Sequence, residues 1–299
     1  MFQEDSTKDV VFQTVLQTAG AIKADKPDLQ DPVDAFATLF EAFEAAEADL
    51  EPWDISGLTM EKEQFVQGKS LLDMVSLVEF TDRVAQVGEL VMPACARAFP
   101  TLAEAVGAIQ DSSWFAHTAE VAATMRRLLE GDAKAVEAAA SKQDIPGDVF
   151  GFVLSQLVTP ILRSQAKALA NHFDLDGWTQ GYCPICASLP SVSYLIGEGG
   201  KRWMHCPGCG HHWRSKRQEC AACGDDASKG MEYFYLEERI HERAYVCKAC
   251  KKYLLTIDIR EMTDKPNMDM VPIGLIPLDI KAQEEGYEPL VSLPWNTFE

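Results

Sequence analysis

The first 176 residues carry apolar side chains at helical spacing. Phe36, Phe40 and Phe43 recur every three or four positions, and residues 149–169 repeat the pattern. Positions three and four apart lie on one face of an α-helix, so each segment can bury one stripe against its neighbours. The pattern therefore predicts an α-helical bundle over residues 1–176.

Two local signals predict where helices of this bundle begin. Asp31 followed by Pro32 has the pattern of an N-cap and a first helical residue. Thr101 and Glu104 have the spacing of a capping box, in which each side chain accepts a hydrogen bond from the other residue's backbone N–H. We therefore expect helices to start just after residues 31 and 101.

The pattern changes near residue 177, where short strand-like segments replace the helical stripes. Residues 191–196 and 201–205 flank a glycine-containing turn, and residues 232–236 and 243–246 form a second pair of candidate strands. We therefore predict four segments: a helical domain over 1–176, a first metal ribbon over 177–218, a second metal ribbon over 219–262, and an irregular C-terminal tail over 263–299 with a short helix near 278–285.

Eight of the nine cysteines fall into four Cys-x-x-Cys pairs. A two-residue spacer lets both sulfurs turn inward, and two such turns complete a tetrahedron around Zn²⁺ or an iron ion. Four thiolates accept either metal, so the spacing leaves iron and zinc open. Taken in sequence order, the pairs predict two metal sites: Cys183, Cys186, Cys206 and Cys209 in the first ribbon, and Cys220, Cys223, Cys247 and Cys250 in the second.

Disulfides and redox-active thiols are the competing interpretations of these cysteines. Disulfides need an oxidising compartment, and residues 1–5 show neither the basic nor the apolar part of a signal peptide. A thioredoxin-like site needs one pair beside a βαβ pattern, whereas here four pairs lie among hairpins. No run approaches 18 apolar residues, which argues against a membrane span. We therefore expect metal sites in a cytoplasmic protein.

The charge of the chain bears on its partners. The 299 residues carry a net charge of −19, and 47% of them are hydrophobic. Residues 1–176 hold 29 acidic and 13 basic side chains, whereas residues 177–299 hold 17 and 14. An acidic protein repels nucleic acid and anionic membranes at long range. The charge therefore favours a protein or small-molecule partner.

Residues 201–217 depart from this acidic character, because they contain five basic side chains and no acid. Together with the aromatic residues they could bind an acidic or phosphate-bearing group, or stack against a nucleic-acid strand. Equally, the basic side chains could offset the charge of the thiolate sites while the tryptophans pack the ribbons. We take as the candidate partner-binding surface Arg202, Trp203, His205, Trp213 and Arg217.

Other conspicuous residues are predicted to be structural. Cys95 lies in an apolar helical stretch, and Trp114, Phe115 and His117 form an aromatic group near a helix start. Such residues are usually part of a core. No catalytic triad, phosphate-binding glycine loop or paired-carboxylate pattern emerges from the sequence. We therefore expect a binding protein rather than an enzyme.

The cysteine-containing half resembles one known family, the formate dehydrogenase accessory proteins, FdhE. The resemblance covers roughly residues 180–290, and any single Cys-x-x-Cys within it is common, whereas the ordered set is specific. The helical half shows no motif that matches residue by residue. The residues that carry the resemblance are Tyr182-Cys183-Pro184-Ile185-Cys186, Arg202-Trp203-Met204-His205-Cys206-Pro207-Gly208-Cys209, Trp213, Arg217, Cys220, Cys223, Cys247-Lys248-Ala249-Cys250, Leu278-Asp279 and Glu285-Gly286-Tyr287.

The resemblance implies an α-helical domain followed by two rubredoxin-like ribbons, with the eight paired cysteines as ligands and iron as the associated metal. It implies a cytoplasmic, chaperone-like maturation factor that binds the catalytic subunit of formate dehydrogenase and assists its assembly. Ala187 departs from the family, in which a glycine that permits positive φ usually follows the first pair. The alternative function is a nucleic-acid-binding zinc-ribbon regulator that uses Trp203 and Trp213.

Overall fold

The computed structural model describes three stretches of the chain, residues 10–75, 81–225 and 231–297. They divide into two compact units. The unit that we call the cysteine unit takes in Met1–Val33, Leu58–Val75 and Ala170–Glu299. The unit that we call the helical unit takes in Asp34–Gly57 and Ser76–Leu169. The cysteine unit thus draws two of its three stretches from the half of the chain that was predicted to be helical.

The helical character of this first half is confirmed. None of the helices in the described ranges is both long and apolar enough to cross a membrane. The described α-helices of this half are α1 (Val15–Asp25), α2 (Gln30–Asp49), α3 (Lys62–Val66), α4 (Leu71–Met74), α5 (Thr81–Ala98), α6 (Ala103–Asp111), α7 (Thr118–Leu129), α8 (Ala133–Ser141) and α9 (Gly147–His172).

Helix α5 shows how the apolar stripe builds the core of the helical unit. Val84, Val91 and Cys95 recur at helical spacing, and all three side chains are fully buried. Nearby in the same unit, the ring of Trp114 packs 5.4 Å from that of Phe150. Burial raises the pKa of Cys95 to about 11, which keeps the thiol protonated and unreactive at neutral pH. Cys95 and Trp114 are therefore core residues, as predicted.

Both predicted helix starts are wrong in detail. A 3₁₀ turn at Pro27–Leu29 leads directly into α2, so Asp31 lies inside the helix. A second turn at Pro100–Leu102 leads into α6 in the same way, and Thr101 therefore does not cap that helix. In each case proline fixes φ near the helical value and starts the turn earlier than the capping pattern indicated.

The second half forms one mixed sheet, and the four predicted strands are confirmed to within two residues. The strands follow the order β3-β2-β1-β6-β5-β4, and β7 pairs with β6 outside this path. Their bounds are β1 (Val192–Ile196), β2 (Lys201–His205), β3 (His212–Ser215), β4 (Met231–Phe234), β5 (Glu242–Cys247), β6 (Lys252–Asp258) and β7 (Glu288–Pro289).

A parallel pair joins the two ribbons into this sheet. Within each ribbon the neighbouring strands are antiparallel, as hairpins require. Between the ribbons β1 runs parallel to β6, with Ser193 opposite Thr256. The two buried hydroxyl groups of this pair lie 2.6 Å apart and hydrogen-bond to each other. The two metal ribbons therefore share one sheet.

The C-terminal segment covers this sheet. The short helix predicted near residues 278–285 is confirmed, and a further helix and β7 make the segment more regular than expected. Leu278 and Ala282 are buried in one cluster with Val192 of β1. This packing supplies the apolar core that two small ribbons could not build alone. The two helices are α10 (Val271–Gly274) and α11 (Ile276–Glu284).

Candidate metal centres

Eight cysteine sulfurs gather at two places in the cysteine unit. In each group the four Sγ atoms lie within 4.8 Å of one another. This grouping is the one predicted by taking the pairs in sequence order. The first cluster consists of Cys183, Cys186, Cys206 and Cys209, and the second cluster of Cys220, Cys223, Cys247 and Cys250.

The sulfur spacing suits a tetrahedral ion. In the first cluster the Sγ atoms of Cys186 and Cys206 lie 3.4 Å apart. In the second cluster those of Cys220 and Cys250 lie 3.7 Å apart. A metal–sulfur bond of about 2.3 Å places the sulfurs of a tetrahedron about 3.8 Å from one another. Both clusters therefore fit a zinc or iron ion held by four thiolates.

The electrostatics of the first cluster also favour a bound cation. Burial raises the pKa of Cys183 well above its usual range, whereas hydrogen bonds from Cys183 and its neighbours lower the pKa of Cys186. Four thiols at this spacing cannot all ionise on their own, because like charges so close repel strongly. A metal ion supplies the positive charge that allows all four to be thiolates.

All four Cys-x-x-Cys turns share one backbone geometry. The residue after the second cysteine has positive φ, and its N–H donates to the carbonyl oxygen of the first cysteine over 2.9–3.1 Å. This conformation is easy for glycine but costs other residues about 1–2 kcal/mol. Each cluster combines one glycine turn with one turn that bears a side chain. The residues and their φ values are Ala187 (61°), Gly210 (69°), Gly224 (71°) and Lys251 (61°).

The first cluster is embedded in the cysteine unit. The N–H groups of Leu71 and Leu72, at the start of α4, donate to the carbonyl oxygens of Pro184 and Ile185, both over 2.9 Å. Three of the four cysteines are at most 3% exposed. One ligand turn is therefore hydrogen-bonded to a helix that lies outside the ribbon.

The second cluster lies nearer to the surface. Cys223 is exposed and Cys250 is half-buried, whereas Cys220 and Cys247 are buried. Cys247 is the last residue of β5, and Cys250 comes two residues before β6. The strands of the second ribbon therefore position two of the four sulfurs. The clusters thus share their turn geometry and differ in their access to solvent.

The predicted partner-binding residues do not form one exposed patch. Arg202, His205 and Trp213 are only 2–3% exposed, Trp203 is half-buried and Arg217 is exposed. The side chains of Arg202, His205 and Trp213 instead pack inside the cysteine unit. The role of the set in partner binding stays a prediction.

His205 belongs to a chain of hydrogen-bonding groups that the sequence analysis missed. Its Nε2 lies 2.9 Å from Asp269 Oδ1, and its Nδ1 lies 3.3 Å from Nε2 of His212. On the other side of His212, Nδ1 lies 3.0 Å from the hydroxyl of Tyr194, and the ring of Phe12 stacks on the imidazole. No motif or spacing connects these residues, so only the fold could reveal that they form one hydrogen-bonded series.

Comparison with known proteins gives these centres a context, although no family model matches the chain. The protein FdhE homolog of Aquifex aeolicus is 32% identical over 146 residues, which are 48% of this chain and 50% of that protein. The FdhE homolog of Edwardsiella ictaluri is 31% identical over 108 residues, 35% of this chain and 34% of that protein. Protein FdhE of Salmonella paratyphi B is 30% identical over 115 residues, 37% and 36% of the two chains.

The chain spans half or less of the length of these curated relatives. Among solved structures, the crystal structure of the FdhE protein from Pseudomonas aeruginosa matches 93% of this chain and 91% of that chain, with a TM-score of 0.59. The sequence identity is 16%, so this likeness concerns the fold alone. The chain is thus similar in sequence to FdhE proteins over about half of its length, and it shares the fold of one of them.

Proposed function

We propose that this protein is an accessory factor for formate dehydrogenase, which binds the catalytic subunit in the cytoplasm and assists assembly of the active enzyme. The observation that carries the proposal is the sequence similarity to FdhE proteins. The fold likeness to the FdhE protein of Pseudomonas aeruginosa supports it. In this role the protein acts by binding and is not itself the catalyst.

In this proposal each cysteine cluster holds one metal ion through its four thiolates. Zinc supplies only a cross-link between ligand turns, whereas iron also supplies a one-electron couple. With either metal, the ion ties two turns of a small ribbon together, and removing it should unfold that ribbon. Iron, which the family resemblance implies, and zinc are the two candidates.

We propose that exposed basic residues at one edge of the sheet contact the partner. β3 is the last described strand on this side of the sheet. Arg214 in β3 is exposed, and so are Lys216 and Arg217, which follow it. Half-buried Trp203 lies opposite Arg214 in the β2–β3 pair. A local positive surface on an acidic chain attracts an acidic segment while the rest of the chain repels it. Trp203 and Arg217 are thus the accessible members of the set predicted from the sequence.

The accessory role is tested by capture of the catalytic subunit. The tagged protein is recovered from a nuclease-treated, anaerobic lysate of its native host, and the captured proteins are identified by mass spectrometry. We expect enrichment of a formate dehydrogenase catalytic subunit. Reproducible absence of that subunit from a lysate that contains it would sink the accessory role. Capture of nucleic-acid machinery in its place would favour the zinc-ribbon regulator.

Paired charge reversals test the proposed surface separately. Arg214→Glu combined with Arg217→Glu should weaken capture of the catalytic subunit about tenfold, because both changes oppose an acidic partner. Arg126→Glu with Arg127→Glu is the matched control, since it changes the net charge equally at exposed positions of α7. Unchanged capture by the first pair, with metal retained, would refute this surface but leave the accessory role standing.

A further inference from the structure

Arg202 is a buried arginine in β2, with only 2% of its surface exposed. Its Nε donates to the Ser193 hydroxyl over 3.1 Å, and its Nη1 donates to the carbonyl oxygen of Glu219 over 3.2 Å. The guanidinium carbon lies 5.2 Å from the ring centre of Tyr245. A positive charge is thus held inside the cysteine unit by a hydroxyl, a carbonyl and an aromatic ring.

These contacts lead from the first ribbon to the second cluster. Arg202 belongs to the first ribbon, whereas Glu219 directly precedes the ligand Cys220. Tyr245 lies in β5, two residues before the ligand Cys247. The hydrogen bond at Glu219 therefore fixes the peptide that enters the first ligand turn of the second cluster.

The charge of Arg202 requires compensation. Burial lowers the pKa of Arg202 to about 10, and the nearby Tyr245 and Cys220 act in the opposite direction. The guanidinium therefore stays protonated at neutral pH. A buried charge is costly unless an opposite charge lies close to it, and the hydrogen-bonding partners of Arg202 are neutral groups. A divalent ion on four thiolates carries a net charge of −2, which supplies that opposite charge.

A second contact brings the first ribbon against the second cluster. A Cβ atom at Gly181 would lie 2.1 Å from the carbonyl oxygen of Ala221 and 2.6 Å from its Cα. Ala221 lies in the turn between Cys220 and Cys223, and Gly181 lies two residues before Cys183. Only glycine allows the backbone of the first ribbon to approach this ligand turn so closely.

We propose that Arg202 is a positioning residue of the second metal centre, which it completes from the first ribbon. It holds the Glu219–Cys220 peptide and balances the negative charge of the metal and its thiolates. The second ribbon therefore depends on the first for tight metal binding. This role is independent of the accessory function and differs from the partner-surface role expected from the sequence.

Three variants separate the charge of this side chain from its bulk. Arg202→Met removes the charge and keeps a long side chain, and Arg202→Lys keeps the charge. Arg126→Met is the matched control, because it removes an exposed arginine that lies in α7. Each chain is loaded anaerobically with zinc, and transfer of zinc to a chromogenic chelator is followed in time. Cys223→Ser lacks one ligand of the second centre and should lose one kinetic phase. The phase that it loses identifies release from the second centre in the other variants.

We expect Arg202→Met to speed zinc release from the second centre about 10- to 100-fold, because losing an outer partner usually weakens metal affinity by that factor. Arg202→Lys should recover part of this loss, and Arg126→Met should behave as the unaltered protein. Release from the first centre should not change in any of the three. Unchanged release from the second centre in Arg202→Met, or equal acceleration at both centres, would overturn the proposal.

The midpoint potential of the iron-loaded protein is a second readout, which would not change if Arg202 had only a structural role. Adding an electron makes a four-thiolate iron site more negative, so removing a nearby positive charge disfavours reduction. Arg202→Met should therefore lower the midpoint potential of the second centre, and Arg202→Lys should stay close to the unaltered protein. Equal potentials in all three proteins would contradict the charge role.

If Arg202→Met does not fold, Gly181→Ala and Arg202→Lys test the proposal in its place. The added methyl group of Gly181→Ala must displace the Ala221 backbone, and should speed release from the second centre. Faster release from that centre in both variants supports its dependence on the first ribbon, and normal release in both overturns it.

Discussion

The two cysteine clusters use the same ligand turn in different surroundings. Each combines one glycine turn with one turn that bears a side chain at positive φ. The first cluster is buried, and one of its turns is hydrogen-bonded to α4. The second cluster exposes Cys223 and lies beside a guanidinium from the first ribbon. Sequence spacing thus sets the arrangement of the sulfurs, and we expect tertiary contacts to set how firmly each site holds an ion.

The largest effect should follow from removing one ligand at each centre. Cys206→Ser removes a buried ligand of the first centre and should lower the Tm of the metal-loaded protein by about 10 °C or more. Cys223→Ser removes an exposed ligand and should lower the Tm less than Cys206→Ser does. Calorimetry with metal analysis of the same samples measures both. Equal shifts would show that burial does not distinguish the centres.

A smaller effect concerns Asp279 of α11, which hydrogen-bonds Tyr253 three residues after the ligand Cys250. Burial raises the pKa of Asp279 from 3.8 to about 6, and its Oδ2 has no hydrogen-bond partner among the described residues. The folded protein therefore holds a proton that the unfolded chain releases between about pH 4 and 6. Stability falls as the pH rises through this range and stays lower above it.

Asp279→Asn removes this loss of stability at higher pH, because the amide is neutral at every pH. At pH 7 we expect the variant to gain up to roughly 3 kcal/mol in free energy of unfolding, and to gain little at pH 4. Urea denaturation at saturating metal, compared with the unaltered protein at each pH, measures the difference. A gain that does not depend on pH would show that ionisation of Asp279 is not its cause. Such a gain would add to the difference between the two clusters, because Asp279 supports the second ribbon.

The smallest effects concern the residues at positive φ. Ala187→Gly and Lys251→Gly should each stabilise the metal-bound protein by about 0.5–1 kcal/mol, since glycine removes backbone strain but costs chain entropy on folding. The converse change, Gly224→Ala, should destabilise by about 1 kcal/mol, because the φ of 71° is unfavourable for alanine even though a Cβ there meets no described atom within 4 Å. Chemical denaturation of the three variants measures these opposite changes in the free energy of unfolding.

The ligand groups were predictable because a local rule defines them. Two cysteines with two residues between them can bring their sulfurs together only on a tight turn, so the ligand groups followed from spacing. The hairpin strands followed from strand-like segments and turn signals. The positive φ after each pair had a weaker signal, namely the glycines at 210 and 224. The same conformation at Ala187 and Lys251 was not predicted from the sequence.

The surroundings of the sites were not predictable from any local rule. Residues 201–217 are basic and aromatic in sequence, but which of them face the interior depends on the pairing of β2 with its neighbours. The parallel contact of β1 with β6 joins segments about 60 residues apart, and no pattern specifies it. For this reason the sequence placed Arg202 on a surface, whereas the fold places it beside the second cluster.

The most direct test of this account is the stoichiometry and time course of metal release from the unaltered chain to an excess of chelator. The account predicts two ions per chain, one for each cluster, and two phases of release. The faster phase should disappear in Cys223→Ser and the slower one in Cys206→Ser. A single ion, a single phase, or the opposite assignment of the phases would contradict the claim that two alike ligand sets are made unequal by their surroundings.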